Sequence, residues 1–243
     1  MSMKKQLNEE LIQAIKGMRG HPLISVIGAI SPSREYVKEM GFETGFALRE
    51  FIEKRRGSIF TGGVDGVGVD IYAGILAYCL RNGSQQSQDD RFFVLVPQFV
   101  IPNRREDLDK SFEYAPPQSY EALAMLNSNQ QLGIEVAGVD MSERRRYLAE
   151  VADVFVALNG GLGTVDEATM ALQHGKSVVA LANSGGAAGI LAAIKTSQLD
   201  VKIENELRRY HVPLDELMQP HLKDNIKLAY SPKDIIDHLS QLY

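Results

Sequence analysis

The sequence predicts an α/β fold, a doubly wound, Rossmann-like parallel sheet with helices on both faces. Short, continuous apolar segments alternate along the chain with segments of helical length and pattern. Strands that lack polar alternation are buried on both faces, and parallel strands need helical crossovers between them. Such folds bind ligands at the carboxyl ends of their strands, where the strand order reverses, so the strand-to-helix loops are the candidate sites.

Six apolar segments are predicted to be strands, and they cover residues 23–30, 57–63, 91–97, 133–139, 154–158 and 177–182. Their short length and apolar composition are typical of buried strands. Six helices are predicted to follow or separate them, over residues 43–56, 68–82, 119–129, 142–152, 164–175 and 187–198. Polar residues at 82–90 indicate an exposed linker, and the proline-punctuated stretch 101–118 indicates a polar insertion.

Length and composition predict a single domain over residues 1–243. The 243 residues are 44% hydrophobic, which is enough to build a full core. We expect an N-terminal helix within residues 1–20 and a C-terminal helical extension over residues 200–243.

Charge and cysteine content narrow the functional classes. The formal net charge of −5 argues against nucleic acid or an anionic membrane as a partner, although a small anionic ligand stays possible. A single cysteine, Cys79, excludes an internal disulfide framework and is typical of a reducing compartment. The N-terminal segment lacks a signal-type apolar region, and no apolar run is long enough to span a membrane. We therefore expect a cytoplasmic protein, and the scattered histidines predict no metal site.

Two glycine-rich loops follow predicted strands, TGGVDGVGVD at 61–70 and NGGLGT at 159–164. Glycine lets a ligand approach the main chain closely, and the start of the following helix favours a phosphate. One such loop is most simply explained as a tight turn. Two loops at one sheet edge favour binding of a phosphorylated ligand, with Thr164 able either to cap the helix or to bond the phosphate.

Charged residues flank the second loop. Asp166 and Glu167 are predicted to lie in the opening turn of the next helix, where Asp166 would stabilise the helix and Glu167 would point back over the loop. Three successive arginines at 144–146 fan out around a helix, so we expect one to face the loop. Arg145 and Arg146 are interpreted as solvated surface charges.

The segment MSERRRYLAEVADVFVALNGGLGTVDE, residues 141–167, resembles the signature of the LOG (Lonely Guy) phosphoribohydrolases, long taken for lysine decarboxylases. That family has Met-His-x-Arg-Lys, then ADAFVALPGG, then Gly-x-Gly-Thr-x-x-Glu, with the same spacing. The resemblance implies that Arg144 and Glu167 are catalytic. It also implies a nucleotide phosphate site in the glycine loop, formed by Asn159, Gly160, Gly161, Gly163 and Thr164.

A weaker similarity extends from about residue 23 to residue 194. SVIGAISPS is similar to the first strand and serine-containing loop of the family, which adds Gly28 and Ser31 to the implied site, and Gly62 and Gly63 lie on the facing loop. The chain departs from the family pattern at Ser142, Arg145 and Asn159, where the family has His, Lys and Pro, and in the loop from Gly62 to Asp70.

The resemblance implies hydrolysis of the N-glycosidic bond of a nucleoside 5′-monophosphate to free base and ribose 5-phosphate. A carboxylate such as that of Glu167 can stabilise the positive charge that develops on the ribose. No cofactor is expected, because pyridoxal chemistry needs a buried lysine, and Lys176 and Lys195 are predicted to lie at element ends facing water. LOG-like proteins also pair through helices, so we expect at least a homodimer, formed through the apolar helix at 69–80.

A second hypothesis is a protein that binds or senses a nucleotide derivative without hydrolysing it. The altered loop from Gly62 to Asp70 suits a different, bulkier nucleotide. The feature that separates the two hypotheses is whether Arg144 and Glu167 meet in one pocket.

Overall fold

The computed structural model describes residues 8–62, 66–83, 91–96, 133–136, 138 and 140–243. Within these residues a seven-stranded sheet has the order β4-β3-β2-β1-β5-β6-β7. Every neighbouring pair of strands is parallel. The strands are β1 (Leu23–Gly28), β2 (Ser58–Thr61), β3 (Phe92–Val96), β4 (Gly133–Val136), β5 (Val154–Leu158), β6 (Ser177–Leu181) and β7 (Ile226–Ala229).

The helices of the described residues are α1 (Glu9–Arg19), α2 (Lys38–Arg55), α3 (Val67–Arg81), α4 (Met141–Val151), α5 (Leu162–Gln173), α6 (Gly186–Thr196), α7 (Val201–Arg209), α8 (Leu214–Leu217), α9 (Pro220–Lys223) and α10 (Pro232–Leu242). Polar side chains begin three of them. Asn8, Asp140 and Ser231 each accept a hydrogen bond from a first-turn N–H group, at α1, α4 and α10 respectively.

Two hydrophobic clusters cover opposite faces of the sheet, as the predicted fold class requires. Along β1 the side chains alternate, so that Leu23 and Ile27 join one cluster while Ile24 and Val26 join the other. Helices α1, α4, α5 and α6 contribute to the first cluster, and α2, α3 and α10 contribute to the second. The predicted doubly wound α/β fold is confirmed.

The strand order reverses between β1 and β5, which are hydrogen-bonded neighbours near the centre of the sheet. From β1 the chain proceeds outward through β2, β3 and β4, and from β5 it proceeds the other way through β6 and β7. The loops that leave the carboxyl ends of β1 and β5 therefore diverge, and a crevice opens between them. This switch point is where the fold predicts a ligand.

All six predicted strands are present, and each end lies within three residues of its predicted position. The seventh strand, β7, was not predicted, and it places part of the supposed helical extension at 200–243 in the sheet. The predicted helix at 119–129, the linker at 84–90 and the insertion at 101–118 lie outside the described residues. The single domain over 1–243 stays a prediction.

Candidate functional site

The glycine loop between β5 and α5 lies at the switch point of the sheet. Asn159 and Gly160 both have positive φ, 52° and 101°, which turns the chain sharply out of β5. Gly161 is the N-cap of α5, and the N–H groups of Thr164 and Val165 reach its carbonyl at 3.0 and 3.2 Å. The loop therefore leads directly into a helix N-terminus.

Helix α5 starts at Leu162, two residues before the predicted start, and this corrects two expectations. Asp166 is the fifth residue of the helix and lies outside its first turn, so it does not stabilise the helix N-terminus in the predicted way. Thr164 does not cap the helix, because Gly161 holds that position. The Thr164 hydroxyl donates instead to the Gly28 carbonyl, at 3.4 Å.

The carbonyls of the glycine loop are anchored by the next helix. The N–H of Ala187 bonds to the oxygen of Gly160 at 2.8 Å, and that of Ala188 bonds to the oxygen of Asn159 at 3.0 Å. Two N–H groups of the first turn of α6 are thus occupied by hydrogen bonds inside the protein. The first N–H groups of α5, at Gly161 to Gly163, have no partner within their own helix, and groups in this position are suited to binding an anion.

Gly161 borders open space, unlike the other glycines of the loop. A Cβ built on Gly161 meets no atom of the described residues within 4 Å. On Gly160 it would lie 2.5 Å from the Thr164 hydroxyl, and on Gly163 it would lie 2.8 Å from Nη2 of Arg145. Gly160 is therefore required by its positive φ and by packing, a side chain at Gly163 would displace only the flexible end of Arg145, and Gly161 borders open space.

Asn159 is buried, and its side chain links two other loops to the glycine loop. Its Oδ1 accepts from the Ser33 N–H at 3.0 Å, and its Nδ2 donates to the Ser33 hydroxyl at 2.7 Å and the Ser184 carbonyl at 2.6 Å. Ser33 and Ser184 were not singled out in the sequence. No local pattern marks them, because both lie far from Asn159 along the chain.

The loop after β1 approaches the site through Gly28. A Cβ on Gly28 would lie 2.6 Å from the Leu158 carbonyl and 2.8 Å from Val67, so glycine is needed here for close packing. Ser31 is exposed at the loop surface. On the facing loop, a Cβ on Gly62 would overlap the Arg144 guanidinium, 1.8 Å from Nη1. Gly63 lies outside the described residues.

Arg144 on α4 and Glu167 on α5 form a buried ion pair through Nη2 and Oε1. Their side chains are 3% and 10% exposed. Burial lowers the pKa of Arg144, and the neighbouring carboxylate of Glu167 opposes that effect. Nε and Nη1 of Arg144 are buried and have no hydrogen-bond partner among the described residues. The structure thus brings the two residues together and leaves part of the guanidinium unsatisfied.

Arg145 belongs to the same charged cluster, so its interpretation as a solvated surface charge was wrong. Its Nη1 bonds to Oδ2 of Asp166 at 3.1 Å, and its Nε lies 3.9 Å from Oε1 of Glu167. The side chain is 26% exposed. Arg145 therefore covers the first turn of α5 from the solvent side, while Arg144 lies behind Glu167 in the interior.

The two lysines considered for pyridoxal chemistry lie at the other edge of the sheet. Lys176 immediately precedes β6, and Lys195 is in the last turn of α6, where its Nζ bonds to the Lys223 carbonyl at 2.8 Å. In the part of the chain that the structure describes, no group of three or more His, Cys, Asp or Glu side chains is arranged to hold a metal. None of the described helices has the length and apolar character needed to cross a bilayer.

Comparison with known proteins shows a family similarity over part of the chain and a shared fold. Residues 83–184 match a family model described as "Possible lysine decarboxylase". No curated protein sequence matches the chain. Among solved structures, the X-ray structure of TM1055 is 19% identical with a TM-score of 0.53, over 90% of this chain and 98% of that chain. This similarity supports the fold.

Two further structures are a molybdenum cofactor carrier protein from Chlamydomonas reinhardtii and a molybdenum cofactor binding protein from Rippkaea orientalis. Each is 18% identical with a TM-score of 0.46, over 91% and 93% of this chain and 97% and 98% of theirs. The predicted family resemblance rests on the family model, whose match contains both Arg144 and Glu167. Residues 83–184 are thus similar to the lysine decarboxylase-like (LOG) family, which confirms the predicted resemblance over that part of the chain.

Proposed function

We propose that this protein hydrolyses the N-glycosidic bond of a nucleoside 5′-monophosphate and releases free base and ribose 5-phosphate. The observation that carries the proposal is the buried pair of Arg144 and Glu167 beside the first turn of α5. A carboxylate and an anion-binding helix start are the two elements that this reaction requires. Neither element alone would indicate hydrolysis.

The phosphate is proposed to bind the N–H groups at Gly161 to Gly163. Three observations support this choice: the helix N-terminus, the open space at Gly161, and the partly exposed guanidinium of Arg145 over the same turn. A phosphate there would receive backbone donors, the favourable end of the helix dipole and a neighbouring cation. Asn159, Gly160, Gly163 and Thr164 shape this loop, and Gly28, Ser31, Gly62 and Gly63 are proposed to border it.

Glu167 is proposed to act on the ribose. Cleavage of the bond between C1′ and the base nitrogen leaves positive charge on the sugar, and a carboxylate in a poorly solvated position stabilises that charge strongly. The carboxylate can also orient the water that adds to C1′. Arg144 holds the Glu167 carboxylate in place through their ion pair, and its unsatisfied Nε and Nη1 groups are available to an oxygen of the substrate.

A second candidate function is binding of a nucleotide derivative without hydrolysis. The observation that favours it is the same ion pair, because Arg144 neutralises the carboxylate that would have to face the ribose. In this case Glu167 would serve the structure of the site and the glycine loop would hold the ligand. A cytoplasmic location and a homodimer stay predictions under either function.

The deciding experiment is incubation with AMP, GMP, CMP and UMP while free base and ribose 5-phosphate are quantified by chromatography. We expect equal amounts of base and ribose 5-phosphate from at least one nucleotide. A Glu167→Gln preparation, purified in the same way, controls for contaminating hydrolases. Nucleotide binding without base release would favour the second function, and the absence of both would reject the two proposals together.

A further inference from the structure

The side-chain amide of Asn159 makes three of its four possible hydrogen bonds inside the protein, and both of its donors are used. One carbonyl oxygen accepts from Ser33, and the two N–H donors go to the Ser33 hydroxyl and the Ser184 carbonyl. The residue is 1% exposed. An amide in this condition has no donor left for a phosphate, so we attribute the effect of its side chain on binding to the position of the loops.

Asn159 joins three loops that leave neighbouring strands. Its own N–H donates to the Ser184 hydroxyl at 2.7 Å, and that hydroxyl donates to the Leu181 carbonyl at 2.6 Å. Ser33 belongs to the loop after β1, Asn159 to the loop after β5, and Ser184 to the turn after β6. The two walls of the crevice at the switch point are thereby connected through one side chain.

The residue type is well suited to this position. With φ at 52°, the backbone of Asn159 is in the left-handed region, where asparagine is among the few non-glycine residues found often. Aspartate would lack the two donors, and glycine would lack the amide altogether. Asparagine combines the required backbone conformation with one acceptor and two donors.

The connection extends to a carboxylate at the mouth of the crevice. The Ser33 hydroxyl accepts from Asn159 and donates to Oε2 of Glu35. Glu35 in turn packs over the start of α6, since its Cγ lies 3.0 Å from where a Cβ on Gly185 would be. Hydrogen bonds arranged in series strengthen one another, so the loop from Ala29 to Val37 is held at several points.

We propose that Asn159 is a positioning residue that sets the width of the ligand crevice by tethering the loop after β1 to the glycine loop. The proposal rests on the proposed function insofar as the crevice is taken to hold a nucleoside 5′-monophosphate. Asn159 touches no reacting atom. Its loss therefore widens or loosens the crevice without removing Glu167 or the N–H groups of α5.

Two substitutions separate the tether from the backbone conformation. Asn159→Gly keeps the left-handed backbone accessible and deletes the amide, whereas Asn159→Ala deletes the amide and strains the backbone as well. Ser33→Ala removes the hydroxyl bond of the tether at an exposed position and keeps the bond from the Ser33 N–H to Asn159. Asn183→Ala is the matched control, because Asn183 is exposed on the neighbouring turn and bonds only to the Tyr230 carbonyl in the described structure.

The readouts are hydrogen exchange of the Ser33 amide by NMR without ligand, and KM and kcat for the nucleotide that the parent hydrolyses. We expect Asn159→Gly to accelerate hydrogen exchange of the Ser33 amide about tenfold and to raise KM about tenfold. Effects of this size correspond to the loss of one or two hydrogen bonds. We expect kcat to stay within about threefold of the parent, because Glu167 is untouched. Ser33→Ala should change KM in the same direction by less.

The proposal would be overturned if Asn159→Gly and Ser33→Ala both kept the parental exchange rate of the residue 33 amide and the parental KM. A loss confined to kcat, or an equal effect of Asn183→Ala, would overturn it as well. If the parent protein neither binds nor cleaves a nucleotide, the proposed function is rejected. Hydrogen exchange of the Ser33 amide would then test the tether independently of that function. If Asn159→Gly fails to fold, Ser33→Ala tests the tether through the same two measurements.

Discussion

Arg144 and Glu167 are 23 residues apart in the sequence and meet in the interior between α4 and α5. Both side chains are buried, at 3% exposure for the arginine and 10% for the glutamate. A buried ion pair contributes little net stability, but removal of one partner leaves an uncompensated charge. The pair therefore couples the stability of the fold to the chemistry that we propose for the site.

Glu167→Gln should reduce the rate of base release by about a hundredfold or more, because it deletes the charge that stabilises the developing cation on the ribose. It should also lower the free energy of unfolding by about 3–5 kcal/mol, since Arg144 loses its buried anion. Steady-state kinetics and urea denaturation measure the two effects. Asp166→Asn is the control, whose exposed partner Arg145 limits the change in stability to about 1 kcal/mol. Base release at the parental rate by Glu167→Gln would reject the role of this carboxylate.

Arg144→Ala should weaken nucleotide affinity and rate together, because a cation that holds the carboxylate and the ligand acts in the ground state as well as in the transition state. Arg144→Lys should recover part of the stability and little of the activity, since a lysine lacks the planar fork of donors. Isothermal titration and kinetics on both variants test this expectation. Arg146→Ala, two residues further along α4, should leave KM close to the parental value, and equal defects in all three variants would contradict a specific role for Arg144.

Gly161→Val should fold normally and lose nucleotide binding. Gly161 has a φ of −104°, which valine adopts readily, and its Cβ direction is open. The added side chain would occupy the space that we propose for the phosphate. Thermal melting and titration with the hydrolysed nucleotide measure the two properties. Gly28→Val is the contrasting variant, expected to disrupt folding because its Cβ would overlap Leu158 and Val67. Retained binding by Gly161→Val would show that the loop is only a turn.

Asp70→Asn should increase stability at neutral pH and leave it unchanged in acid. Burial raises the pKa of Asp70 above its ordinary value of 3.8, although the hydrogen bond from Tyr36 partly opposes this. The folded state then holds the proton to higher pH than the unfolded state, so the parent loses stability as pH rises from 3.8 through the folded pKa. An uncharged Asn avoids that loss. Urea denaturation of parent and variant at a series of pH values checks the sign, and a pH-independent difference would contradict it.

The protein should sediment as a homodimer. Helix α3 buries Ile71 and Ile75 in the core but leaves Val69 and Leu80 exposed, at 44% and 75%. Phe42 on the neighbouring helix α2 is 41% exposed. Apolar side chains at the surface of two adjacent helices favour association. Sedimentation velocity at micromolar concentration should show a dimer, and Val69→Lys with Leu80→Lys should convert it to a monomer. A monodisperse monomer of the parent protein in this experiment would contradict the predicted homodimer.

The sequence was sufficient for the fold class, and it predicted the position of the glycine loop after a central strand. Continuous apolar strands separated by helices leave few arrangements other than a parallel sheet covered on both faces, and six of its strands were predicted. β7 was missed because only its end residues, Ile226 and Ala229, are fully buried, so its apolar pattern is weak. The start of α5 was misplaced because Gly161 caps it without a polar side chain.

The tertiary structure alone decided which side chains meet. Arg144 and Glu167 were both predicted to be catalytic from one ungapped motif, but whether they meet was left open, and their buried contact follows from the packing of α4 against α5. Asn159 and Ser33 are 126 residues apart, and no local pattern couples them. Local periodicity determines which face of a strand or helix is buried, whereas the partner of a loop side chain depends on how the strand order brings distant loops to one edge of the sheet. The sequence by itself thus determined the sheet and the glycine loop, and the folded chain determined the charged cluster and the tether around it.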